Sequence, residues 1–328
     1  METEKLKEYL RNGAVLVVSL TPFTKENKLD LEGLRENTRF LVEKRNYGPM
    51  VLIPVGSTGE HYTLTEEERN EAVRVAVEEA GGKIPIIAHT GHSGADVTIE
   101  HSKYVEDIGA DGVMVVLPYY HVPGEEGMYQ HYKKIAEAIN IGVLIYNNPD
   151  VSKVYIQPHL MKRIAEIPNI VGIKENTPYL PTFYEQVKAV GDKIPVFNGR
   201  GEWWFIPSVL LGARGYISGY ANFMPEFTLD LLKAGLSGNF VELKEMMKKL
   251  DPYEEFIARM GEKDGPTTTI LPYPYIGSYI VYSVMKQTMD ILGLHGGNVR
   301  LPLTNIKDED KKELEEIVFE KMGLRKIK

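Results

Sequence analysis

Four short stretches of this 328-residue chain carry side chains able to do chemistry. The most informative is Ile170-Val171-Gly172-Ile173-Lys174-Glu175-Asn176, an apolar run that closes on a lysine. An amine at the end of a buried strand is partly desolvated, and desolvation lowers its pKa by disfavouring the charged form. Only the neutral amine attacks a carbonyl. A pKa brought down to roughly 7–8 supplies enough of it at neutral pH to form an iminium, which then serves as an electron sink for the neighbouring carbon. Position alone also allows a lysine on a solvated loop, so the other three stretches matter.

Tyr146-Asn147-Asn148-Pro149 closes another apolar run with a phenol, a suitable proton shuttle for carbinolamine dehydration; a packed tyrosine at a barrel rim is the structural alternative. Gly56-Ser57-Thr58-Gly59-Glu60 offers successive main-chain N–H groups and two hydroxyls, a concavity suited to a carboxylate, though a tight turn needs the same glycines. Pro118-Tyr119-Tyr120 ends the run Gly112 to Leu117.

These groups need a frame that brings strand ends together. Eight short apolar segments begin near Ala14, Met50, Ile84, Gly112, Ile141, Ile170, Ile194 and Ala213, with helical patterns between them. Ala72, Val73, Ala76, Val77 and Ala80 form one apolar stripe, and Thr65 with Glu68 reads as a capping box before it. Near-continuous apolar strands such as Gly112 to Leu117 are expected where both faces of a parallel sheet are buried. The expected fold is an α/β (β/α)8 TIM barrel with additional C-terminal helices: a short N-terminal helix and barrel over 1–235, and a helical extension over 236–328 packed on the barrel. A doubly wound open sheet is disfavoured because no glycine-rich dinucleotide fingerprint follows the first strand. In a barrel the active site lies at the C-terminal ends of the strands, where the four stretches fall. In such a barrel Tyr146 and Lys174 end neighbouring strands.

Composition narrows the function classes. The formal charge of −8 comes from scattered acids, with no basic block to track a phosphate backbone, so nucleic acid is not an expected partner. The chain has no cysteine, which excludes disulfides, thiolate metal sites and a cysteine nucleophile. Its apolar runs are too short to span a bilayer, and Met1 to Arg11 lacks the apolar core of a signal peptide, so a soluble cytoplasmic protein is expected.

Taken in order, the segments closely resemble the dihydrodipicolinate synthase and N-acetylneuraminate lyase family of class I, pyruvate-dependent aldolases. The resemblance runs from about Ala14 to Leu303 and includes Gly56 to Glu60, Ile86-Ile87-Ala88 with Thr90-Gly91, Pro118-Tyr119-Tyr120, Tyr146-Asn147 with Pro149, Gly172-Ile173-Lys174-Glu175, Asn198-Gly199 and Leu301-Pro302-Leu303. It implies Lys174 as the Schiff-base lysine and Tyr146 as proton relay. Ser57 and Thr58 would hold the carboxylate, with Ser57 also in the relay, and Tyr120 would reach from a neighbouring subunit of a homotetramer built as a dimer of dimers. Gly56, Gly199 and Ile217 fall among the implied substrate-binding positions. Neither a metal nor an organic cofactor is implied; the partners are pyruvate or a related 2-oxo acid and an aldehyde or sugar acid.

One departure bears on the second substrate. Where the synthase has an Arg-Thr-Gly stretch whose arginine binds that substrate's carboxylate, this chain reads Asp150-Val151-Ser152-Lys153. The lysine-biosynthesis activity is therefore not expected. Arg200 and Glu202 stand where the lyase binds a sugar-like tail, which points to a polyhydroxylated or anionic group; a surface cation is the plain alternative for Arg200. His89 and His92 flank Thr90-Gly91 with a spacing open to a metal, but no matching acid or third histidine ends a neighbouring strand, so altered pocket shape or polarity is expected instead. His101 is read as structural, and Trp203-Trp204-Phe205 as core or interface. The leading function is a 2-oxo acid aldolase or lyase. Its rivals are a 2-keto-3-deoxy sugar acid dehydratase using the same lysine, and a non-catalytic 2-oxo acid binder, for which a nucleophile with its relay has no use.

Overall fold

The computed structural model describes residues 1–265 and 278–327; the rest of the C-terminal extension lies outside the described residues. Eight parallel strands run in chain order: β1 Ala14–Val18, β2 Met50–Ile53, β3 Ile87–His89, β4 Gly112–Val116, β5 Gly142–Asn147, β6 Ile170–Glu175, β7 Val196–Asn198 and β8 Gly215–Ser218. Each pairs with its neighbours in sequence, and β8 pairs with β1. The last seam, β2 to β3, is closed by a parallel bridge from Leu52 to Ile86 and by His89 N–H donating to the Pro54 carbonyl at 3.2 Å. This is a (β/α)8 TIM barrel.

Alternation along the strands sorts their side chains into two cores. Inward residues such as Leu16, Val18, Val51, Ile53, Met114 and Leu144 fill the barrel, and Leu6 and Leu10 of helix Thr3–Arg11 plug its floor. Outward residues such as Val15, Val17, Leu52, Val113 and Val143 pack beneath the surrounding helices. Thr65 and Glu68 form the capping box that starts helix Glu66–Ala80. After the eighth barrel helix, Pro225–Leu236, the chain continues through Phe240–Lys248, Asp251–Asp264, Ile280–Leu292 and Asp308–Glu316. Leu243, Tyr253, Phe256, Val284, Met289 and Leu314 of these helices belong to the same buried cluster as the outward strand residues.

One irregularity decides what faces inward at the mouth. Against β5, β6 shifts register by one residue: Val143 pairs with Ile170, but Leu144 pairs with Gly172. Val171 points into the barrel and Ile173 out of it. The extra residue resets the alternation. Lys174 thereby falls in register with Tyr146 and Phe197, both members of the interior cluster.

The extension is tied to the mouth by a buried ion pair. Lys286, in helix Ile280–Leu292, places Nζ 2.7 Å from Glu60 Oε1, and both side chains are fully buried. Lys286 also donates to the Asn298 carbonyl at 2.6 Å, and Arg300 N–H donates to Glu60 Oε2 at 2.8 Å. Removing one partner of such a pair leaves an uncompensated charge in the interior. Lys286→Met is expected to lower unfolding stability by about 3–5 kcal/mol, read by denaturant titration at pH 7. A loss within about 0.5 kcal/mol, the usual range for surface changes, would contradict this role.

Candidate active site

Lys174 enters the barrel mouth from β6 with 3% of its surface exposed. Burial is the cause that brings its pKa down to about 7, so roughly half the amine is neutral at that pH. Its Nζ lies 3.7 Å from the centre of the Tyr146 ring. The buried Tyr146 hydroxyl accepts a 2.7 Å hydrogen bond from Asn148 Nδ2 and is also hydrogen-bonded with Ser57. Burial raises the phenol's pKa, which keeps it protonated and able to donate.

Glu175 faces away from the interior and locks the two strand ends together. Its carboxylate oxygens accept from Asn147 Nδ2 at 2.8 Å, Thr177 N–H at 2.7 Å and the Tyr155 hydroxyl at 3.3 Å, and burial raises its pKa to about 8. Gly199 serves the same packing. A Cβ there would come within 2.9 Å of the Glu175 carbonyl oxygen as well as meeting the Asn176 side chain, so glycine suits the close approach of the ends of β6 and β7.

The turn after β2 is held under backbone strain. Val55 and Glu60 both adopt left-handed conformations, with φ of 50° and 57°. Such geometry costs on the order of 1–3 kcal/mol per residue and persists only where surrounding contacts fix it. Here Thr21 Oγ1 donates to the Gly59 carbonyl at 2.7 Å, while the Glu60 carboxylate is gripped by Lys286 and Arg300. Gly56 packs against Val18, where a Cβ would come within 2.8 Å. Ser57 and Thr58 are thus presented half-buried at the lip, and Thr58 is hydrogen-bonded with half-buried Tyr282.

Over this lip lies a cavity of about 300 Å³. It is lined by Ser57 and His61, by the four tyrosines Tyr62, Tyr119, Tyr279 and Tyr282, and by Val151, Pro302 and Leu303. Tyr62, His61, Tyr279 and Tyr282 were not among the residues expected from sequence, nor were Glu60 and Lys286 as a pair. Lys286 was legible as a lone lysine on the apolar face Ile280, Val284, Met285 and Met289.

The other expected residues are placed as follows. Ile217 lies in the barrel interior on β8. Arg200 pairs with Asp150 at 3.2 Å and donates to the Asn176 carbonyl at 3.2 Å; it does not line the cavity. Glu202 is buried beneath β8, accepts from Ser218 Oγ at 2.5 Å and, through burial, has a pKa raised to about 8. Tyr120 is 75% exposed, while its neighbour Tyr119 turns into the cavity. His89 packs against His61 with the rings tilted and their centres 4.4 Å apart, and burial holds its pKa well below the usual histidine value. His92 accepts from Gly94 N–H. Among the described residues, no cluster of three or more His, Asp or Glu is arranged to hold a metal ion, and no helix is long and apolar enough to cross a membrane.

The Dihydrodipicolinate synthetase family model matches residues 11–263. The chain belongs to the dihydrodipicolinate synthase family. It is therefore an enzyme of the lyase class to which that family's carbon–carbon aldolases belong. A family member from Methanocaldococcus jannaschii, a 4-hydroxy-tetrahydrodipicolinate synthase, is 33% identical over 300 residues, covering 91% of this chain and 95% of that protein. The same enzyme of Methanococcus maripaludis is 34% identical over 310 residues, covering 94% and 97%. Among solved structures, the Aquifex aeolicus dihydrodipicolinate synthase aligns with a TM-score of 0.81 at 31% identity, covering 96% of this chain and 100% of that one. The Acinetobacter baumannii synthase, solved with pyruvate, aligns with a TM-score of 0.78 at 30% identity, covering 93% and 97%.

Tyr146→Phe removes only the hydroxyl that joins Ser57 and Asn148 at the amine. Proton transfer by a positioned side chain is worth about 10²–10⁴-fold, so kcat is expected to fall within that range with a much smaller change in KM. Steady-state kinetics with circular dichroism as a fold control checks this, and near-normal turnover would remove the phenol from the chemistry.

Proposed function

We propose that the chain is a Schiff-base aldolase of the cytoplasm that takes pyruvate on Lys174 and joins it to, or releases it from, a second substrate other than aspartate semialdehyde. The observation that carries this reading is the pairing of Lys174 with Tyr146 inside the barrel, an amine half neutral at pH 7 against a protonated phenol.

The 2-oxo acid carboxylate sits on Ser57, Thr58 and the N–H groups of the Gly56–Glu60 turn. The amine adds to the keto carbon, and Tyr146 with Ser57 protonates the carbinolamine oxygen, which leaves as water. Loss of a methyl proton from the iminium gives the enamine, whose carbon attacks an aldehyde; cleavage runs the same steps backwards. Exposed Tyr120 completes the relay of a neighbouring copy across a dimer interface, and the working form is the family's homotetramer of paired dimers. Its Tyr120→Phe variant acts in the same direction as Tyr146→Phe.

The relatives are named for synthase activity, yet Val151 lines the cavity where that activity's arginine would be needed. Arg200, the nearby guanidinium, is already matched by Asp150. Losing one charge-assisted contact costs about 1.5–3 kcal/mol, or roughly ten- to a hundredfold in efficiency, so aspartate semialdehyde is expected to be a poor partner. Condensation at rates equal to the enzyme's best substrate would contradict that part.

The chemistry itself is tested by borohydride reduction with pyruvate present. Peptide mass spectrometry is expected to find a secondary amine on Lys174, with activity lost in proportion. An adduct on another lysine, or none, would overturn the reading.

A further inference from the structure

We propose that the second substrate is an aryl aldehyde, seated with its ring among Tyr62, Tyr119, Tyr279 and Tyr282 and its carbonyl turned toward Ser57. This rests on the Schiff-base reading above and adds the substrate's chemical class.

The cavity is continuous with the chemistry because Ser57 both lines it and is hydrogen-bonded with Tyr146. Its volume of about 300 Å³ suits a small ligand. Among the described residues, no lysine, arginine, aspartate or glutamate lines it. His61 adds no charge, since burial drops its pKa to about 3, and burial raises the Tyr62, Tyr279 and Tyr282 phenols, which stay protonated. A carboxylate placed here would surrender its water to walls that carry no matching positive charge. Arg200 does not help, being bound to Asp150 and the Asn176 carbonyl.

Aromatic walls do suit another aromatic ring. Offset and edge-to-face contacts add to the gain from area burial, and Val151 and Leu303 supply flat aliphatic surface. Tyr62 and Tyr279 leave 47% and 54% of their surface exposed, so the ring has unburied aromatic surface to cover.

In the reaction, the enamine carbon derived from the pyruvate methyl forms a bond to the aldehyde carbon, and the aldehyde oxygen takes up one proton. Hydrolysis of the resulting iminium consumes one water, matching the one lost when the Schiff base formed. It releases a 4-aryl-4-hydroxy-2-oxobutanoate and the free Lys174 amine.

The test compares pyruvate condensation with benzaldehyde, glyceraldehyde and aspartate semialdehyde, using the full-length protein and a Lys174→Ala control. Benzaldehyde is expected to exceed both others in kcat/KM by about tenfold or more. In Val151→Arg, its efficiency is expected to drop about tenfold while that of aspartate semialdehyde rises. Equal or better turnover of glyceraldehyde or aspartate semialdehyde, or unchanged benzaldehyde efficiency in Val151→Arg, overturns the assignment. If benzaldehyde is inert while borohydride still traps pyruvate on Lys174, the aryl class fails and the Schiff-base reading stands. If no trapping occurs, both fall.

Discussion

A lysine cannot be kept dry inside a barrel without either a matching carboxylate or the readiness to lose its proton. Among the described residues this chain buries two lysines, one in the barrel and one in a helix packed on it, and resolves the constraint both ways. Lys286 is given Glu60, whose attraction opposes desolvation and leaves its pKa at about 8. Lys174 has burial as the cause of its shift, and its pKa falls to about 7. The first arrangement holds a strained turn in place; the second leaves an amine that is largely neutral just above pH 7.

The two sites depend on each other through that turn. Val55 and Glu60 hold left-handed backbone that neither would adopt unaided, and the Lys286–Glu60 pair keeps it so. Ser57 and Thr58 between them meet Tyr146 from one side and Tyr282 from the other. Helix Ile280–Leu292 thereby contributes to the mouth twice, once by clamping the turn and once by walling the cavity. A C-terminal extension packed on the barrel thus has a direct structural path to the reacting groups.

Much of this was legible in the amino-acid order. Five of the eight strand starts fall within one residue of the apolar segments, because a fully buried parallel strand leaves a continuous apolar signature. Strands β3 and β7 begin two or three residues later than Ile84 and Ile194, where Pro85 and Pro195 have no N–H to give the ladder. The inward turn of Lys174 was not legible, since it depends on a register shift that alternation alone does not reveal. Nor were the commitments of Arg200 to Asp150 and Glu202 to Ser218, because pairing between distant loops leaves no local pattern. The tyrosine wall was equally hidden: with 19 tyrosines in the chain, only the fold shows which four converge.

The central claim is that burial, with no carboxylate to hold the proton, poises the Lys174 amine. The most direct measurement is an NMR titration of protein carrying labelled lysine side chains, with the Lys174 resonance assigned by its loss in Lys174→Ala. A midpoint near 7 is expected in the free enzyme. A midpoint near about 10.4, that of a solvated lysine, would contradict it.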